Sequence, residues 1–115
     1  MATVVLPPDW EQRLQPLLDE AGEIVARCVE IHDVAISKLV AGRDKDWEFL
    51  REAFLAEYLN AATFIERARL LQEMPQQAVL RPRLTRLRSF LEKTRDLRAV
   101  TKALQDFHRE LERAA

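Results

Sequence analysis

Lys38, Arg43, Lys45 and Asp46 are the residues whose types and spacing best suit chemistry. Lys38 interrupts the apolar run from Val34 to Val40, with Ser37 beside it, and the other three follow across Gly42. Cations gathered at one helix-turn-helix corner could meet phosphate oxygens, with a carboxylate holding one of them in place. Lys38, Arg43 and Lys45 are therefore the candidate phosphate-binding or nucleotide-binding residues. A structural reading competes: Lys38 runs its methylenes past apolar neighbours and pairs with Asp46 or Glu48.

Most familiar catalytic arrangements are missing. His32 and His108 lie far apart, and neither belongs to a metal-ligand motif with two histidines one helical turn apart. Cys28 and His32 could form a nucleophile-base pair, but no third group is placed to orient them. Cys28 reads instead as a buried structural thiol within an apolar-interleaved run. With only Gly22 and Gly42 present, no glycine-rich loop can cradle a phosphate, which excludes P-loop and dinucleotide-binding readings.

Charge is uneven along the chain although the net charge is −1. Arg81, Arg83, Arg86, Arg88, Lys93, Arg95, Arg98 and Lys102 face only Glu92 and Asp96, so that segment carries +6. The first thirty residues carry −4, from Asp9, Glu11, Asp19, Glu20, Glu23 and Glu30 against Arg13 and Arg27. The basic segment is read in three ways: a solvated surface, a face for an acidic partner, or a contact with nucleic-acid phosphates through Arg81, Arg83, Arg86, Arg88, Arg95 and Arg98. Phe90 is its only aromatic residue and it has no base-reading motif, which weakens the third reading. The opposite charges of the two ends could also attract each other, within a chain or between chains.

The elements that must position these residues follow from periodicity. The 115 residues, 48% apolar, provide one modest core and hence one domain, 1–115. Residues 1–31 alternate and carry Pro7, Pro8 and Pro16. Thr3-Val4-Val5-Leu6 and Glu23 to Ile31 read as strands, and Asp9 to Leu14 as a capped helical turn or a bent connection. Residues 32–74 read as three helices, with Asp33, Asp44 and Asn60 as N-caps, Gly42 as a stop, and Trp47, Leu50, Phe54 and Tyr58 as one stripe. Residues 76–113 carry the stripes Leu80-Leu84-Leu87-Leu91 and Leu97-Val100-Leu104-Phe107-Leu111. A six-residue step out of phase separates them, so two helices bending near Thr94 are preferred to one long helix. The expected class is α+β and predominantly helical: two or three short N-terminal strands, then four or five packed helices. One cysteine, no membrane-length apolar run and no secretory leader suggest a cytoplasmic protein with no membrane partner.

Residues 32–49, HDVAISKLVAGRDKDWEF, resemble the HDLAxSKLxAGRxKDxEF stretch of a bacterial family of nucleotidyltransferase-like proteins with a DNA polymerase β type core. That family is related to abortive-infection and toxin-antitoxin nucleotidyltransferases. Upstream, residues 6–14, LPPDWEQRL, are similar to its LPxGWxxRL, and the likeness covers roughly residues 4 to 72. The resemblance implies a nucleotide pocket whose supporting wall includes Lys38, Arg43 and Asp46, and it makes Lys38 and Asp46 the only candidate catalytic residues. It also implies a glycine-serine turn and paired aspartates that bind nucleotide and Mg2+. The sequence starts just before the LPxGW equivalent and contains neither, and Asp9, Asp19 and Asp33 form no spaced pair on one strand. Two-metal transfer needs such carboxylates. The expectation is a non-catalytic remnant or subdomain with no cofactor of its own, acting through a protein partner or as a homo-oligomer. One alternative is a nucleotidyltransferase completed by another chain or an upstream half, the only setting in which Mg2+ and nucleotide enter. Another is a nucleic-acid-binding module using residues 81–102.

Overall fold

The computed structural model describes residues 4–114. Two short strands and five helices follow in the expected class; the strand expected within Glu23 to Ile31 is present, but its partner is not the Val4–Leu6 run. Val4 to Leu6 have no regular structure, and Thr3 lies outside the described residues. Trp10–Arg13 form a single 3-10 turn. Asp9 precedes it with φ 65° and gives no side-chain cap; its carbonyl accepts the Gln12 N–H at 3.0 Å instead.

β1 (Gln15–Leu18) pairs antiparallel with β2 (Ile24–Cys28). Pro16 hides β1 from a sequence reading, yet proline suits a ribbon edge, where a missing N–H breaks no ladder bond. Leu17 stands opposite Ala26 and, past a bulge, Leu18 opposite Ile24. At the turn the Asp19 carboxylate accepts the N–H groups of Ala21 and Glu23, each at 2.9 Å, and Gly22 has φ 83°. Every residue from 15 to 28 is exposed, so Cys28 is not a buried structural thiol but a solvent-facing one on an uncovered ribbon.

α1 (Ile31–Ala41) is capped by Glu30, whose carboxylate accepts the His32 N–H at 2.9 Å. Asp33, expected to cap, lies inside the first turn and is fully buried. Gly42 ends the helix as expected, with φ 63° and its N–H on the Lys38 carbonyl. A Cβ at Gly42 would stand 2.4 Å from Arg83 Nε, which donates to the Val40 carbonyl at 2.9 Å. That contact seats the end of α1 on the fourth helix. α2 (Asp44–Leu55) has Arg43, not Asp44, at its N-cap position. It stops before Tyr58, which is exposed while Leu59 takes the buried position. α3 (Ala61–Arg69) is capped by Asn60, whose side-chain Oδ1 accepts the Thr63 N–H at 3.1 Å.

α4 (Gln77–Leu91) and α5 (Arg98–Ala114) are separate helices, joined through Thr94 and a 3-10 turn at Arg95–Leu97. The connection absorbs the phase break between the two leucine stripes. Leu80, Leu84, Leu87 and Leu91 from α4 meet Leu104, Phe107 and Leu111 from α5, with Ile36 and Leu39 of α1, Leu50 of α2 and Phe64 of α3 in the same core. Phe54 and Phe64 contact edge to face, their centroids 5.4 Å apart. No helix among the described residues is long and apolar enough to cross a membrane.

Candidate functional site

The helix stop at Gly42 brings the end of α1 against the start of α2, and three of the four predicted corner residues converge there. Asp46, buried in the first turn of α2, accepts from Arg43 three times: Nε at 2.8 Å, Nη2 at 3.3 Å and the backbone N–H at 3.0 Å. Lys38 Nζ lies 3.8 Å from the same carboxylate and 5.4 Å from the centre of the Phe49 ring. Burial alone would push the Asp46 carboxyl up; the Arg43 guanidinium, the Arg43 N–H and Lys38 outweigh it and hold the group below its usual range. Lys38 thus pairs with Asp46 and not Glu48. Lys45 is exposed and forms no ion pair among the described residues, so it stands apart from the corner.

A second polar cluster, missed as such by sequence reasoning, lies where the hairpin meets the helices. Asp33 accepts from Arg13 Nε at 2.8 Å and Nη2 at 3.0 Å, and from Arg67 Nη1 at 3.4 Å. Arg13 also donates to the Pro8 carbonyl at 2.8 Å. Glu30 pairs with Arg67 and with His32 Nδ1, and the other His32 nitrogen accepts the Asn60 N–H at 2.9 Å. Burial opposes the charge on Glu30, but the His32 N–H, Arg67 and the His32 ring together keep its carboxyl below the usual range. Arg13 and the His32-Asp33 pair lie in the family-like segments, a usable signal; Arg67 had none.

Beside the corner, Ile31, Phe49, Glu52, Ala53, Ala56 and Tyr58 line a mostly apolar groove of about 450 Å³. The basic segment does not form one face. Arg83 is spent on the Val40 carbonyl, Arg88 contacts His108 Nδ1 at 3.1 Å, and Arg81 lies 4.0 Å from Glu112. Burial, with Arg88 and Arg81 acting against Glu112, holds the His108 imidazole below its usual 6.5. Arg86, Arg95 and Arg98 remain exposed and without a carboxylate partner among the described residues.

A divalent metal needs a cluster of unclaimed oxygen or nitrogen donors. Among the described residues no group of three or more His, Cys, Asp or Glu could hold one, and both buried aspartates are already filled by guanidinium groups. The described residues do not fit Mg2+. Comparison with known proteins agrees with the motif. No curated protein and no solved structure matches the chain. A family model described as "Nucleotidyltransferase of unknown function (DUF6036)" matches residues 1–81, which include the hairpin, the Lys38-Asp46 corner and the Asp33 cluster. The chain belongs to this nucleotidyltransferase family.

Proposed function

We propose that this chain is a non-catalytic binding module of the nucleotidyltransferase family that works by pairing with a second copy of itself through the β1-β2 hairpin. The observation that carries the reading is the uncovered ribbon: Leu17, Leu18, Ile24 and Val25 are 53, 53, 51 and 60% exposed. A two-stranded ribbon is marginal alone and gains stability when a further layer covers it. The register pairs Leu17 with Ala26 on one face and, past the bulge, Leu18 with Ile24 on the other, so exposed apolar side chains are available on both faces for packing against their equivalents across a two-fold axis. Charge favours a second copy as the cover. Among the described residues no ion pair joins the acidic segment 4–30 to the basic segment 81–102, so their attraction is left for a neighbouring chain. The two buried aspartates, Asp33 and Asp46, are engaged by Arg13 and Arg43, which supports a structural role for them over one in transfer. An exposed single thiol at Cys28 suits a reducing compartment such as the cytoplasm.

Leu17→Asp with Ile24→Asp removes almost no core, because both side chains already face water. The double variant is expected to keep the wild-type helical circular dichroism and to sediment as a lighter species at micromolar concentration. Equal sedimentation of variant and wild type would count against the reading.

A second reading has its own observation. Lys38, one-third exposed, sits over Phe49, which also lines the apolar groove, so a cation and an apolar surface adjoin as a nucleotide requires. Here another polypeptide supplies the metal-binding carboxylates, and Lys38 and Arg43 meet the phosphates. It predicts retention of ATP by the wild type that Lys38→Ala lowers about tenfold. Identical retention by both proteins would dismiss it.

A further inference from the structure

We propose that the apolar groove on α2 seats the β1-β2 hairpin of a second copy: within the ribbon-joined pair on which this rests, one face of each ribbon meets its equivalent and the other lies in the partner's groove. Ile31, Phe49, Ala53, Ala56 and Tyr58 line the groove, with Glu52 at its wall. Tyr58 is 70% exposed and Phe49 half-buried, so aromatic surface is open to a guest. The ribbon carries apolar side chains on both faces, and every residue from 15 to 28 is exposed. Packing one face on an equivalent ribbon leaves the other in water. Ile31 stands three residues past the end of β2, so groove and ribbon adjoin, and two copies can exchange hairpins reciprocally about a two-fold axis.

Charge and length pick out the hairpin as the guest. Its tip carries Asp19, Glu20 and Glu23 and its far end Arg27, and none of the four is in an ion pair among the described residues. Arg27 pairs with Pro16 in the ladder and alternates with Ala26, which puts it on the Leu18-Ile24 face. Along α2, Lys45, Phe49, Glu52 and Ala56 follow at steps of four, three and four, so the lining stripe runs from a cation to a carboxylate. Lys38, 5.4 Å from the Phe49 ring centre, adds a second cation toward the first end. Glu48 turns about 100° away from Phe49 around the helix. A hairpin lying along the groove therefore sets its acidic tip against Lys45 and Lys38, and Arg27 against Glu52. Four strand steps separate Glu23 from Arg27, about 13 Å. Seven helix steps separate Lys45 from Glu52, about 10 Å. The difference is within the reach of these long side chains, so both contacts form together and fix the register of the guest.

Two full-length variants, changed only at exposed side chains, test the seat by light scattering across the micromolar range. The hairpin variant is Glu20→Lys, Glu23→Lys and Arg27→Glu, with Asp19 kept because its carboxylate holds the turn. The groove variant is Lys45→Glu and Glu52→Lys. Each alone is expected to self-associate about tenfold more weakly than wild type, since like charges now meet in both seats. An equimolar mixture should return to the wild-type mass, because the reversed hairpin matches the reversed groove and the two unchanged surfaces match each other. Ribbon packing alone gives no such rescue, for the groove takes no part in it. Ala56→Arg, which fills the groove from an exposed position, should also separate the copies, and neither variant should rescue it. With a dimeric wild type, a groove variant of unchanged mass or a mixture no heavier than its components overturns the groove seat and leaves the ribbon pairing standing. A monomeric wild type overturns both.

Discussion

Replacing Asp33 with asparagine is expected to lower the folding free energy by about 3 kcal/mol, the loss typical when one member of a buried ion pair is removed. Asp33 is fully buried and accepts from two guanidinium groups, those of Arg13 and Arg67. Asparagine keeps the shape but leaves Arg13 without a carboxylate and Arg67 with Glu30 alone. The loss falls at the low end of the range because both arginines reach water, with side chains 20% and 16% exposed. Arg13 immediately precedes the hairpin and Arg67 lies on α3, so the damage should appear first as looser attachment of the ribbon. Urea denaturation followed by circular dichroism checks the magnitude. A loss under about 1 kcal/mol would mean that the cluster is an ordinary surface network.

Asp46→Ala is expected to cost about 2–3 kcal/mol, combining a lost N-terminal backbone bond with the loss of the buried acceptor for Arg43 and Lys38. The effect depends on pH in a defined direction. Asp46 titrates below its usual 3.8 in the folded chain, so its contribution is complete above that value and disappears as pH falls through the lower, folded one. Wild type and variant should therefore differ fully at neutral pH and converge in acid. Thermal melts across that range check this, and a constant difference would refute the assignment.

The sequence revealed what is encoded locally. The Lys38-Asp46 corner lies within nine consecutive positions, and a glycine whose φ must be positive fixes its turn. The two leucine stripes announced α4 and α5 because an out-of-phase step cannot continue along one straight helix. Contacts across sequence distance were not legible. Asp33 has the ordinary chemistry of an N-cap, and only the arrival of Arg13 and Arg67 from 20 and 34 residues away turns it inward and leaves Glu30 to cap. Cys28 sits in an alternating apolar pattern that usually means burial; whether such a strand is covered depends on what lies above it, and here no described residue does. The basic segment looked uniform in one dimension, but helical geometry sends Arg83, Arg88 and Arg86 to three different neighbourhoods.

Through its exposed ribbon, the chain is proposed to pair with a second copy of itself. Light scattering on the purified wild type at micromolar concentration tests it most directly. The expected mass is near twice 13.4 kDa, returning to 13.4 kDa with Leu17→Asp and Ile24→Asp. A wild-type mass of 13.4 kDa across the micromolar range would contradict it.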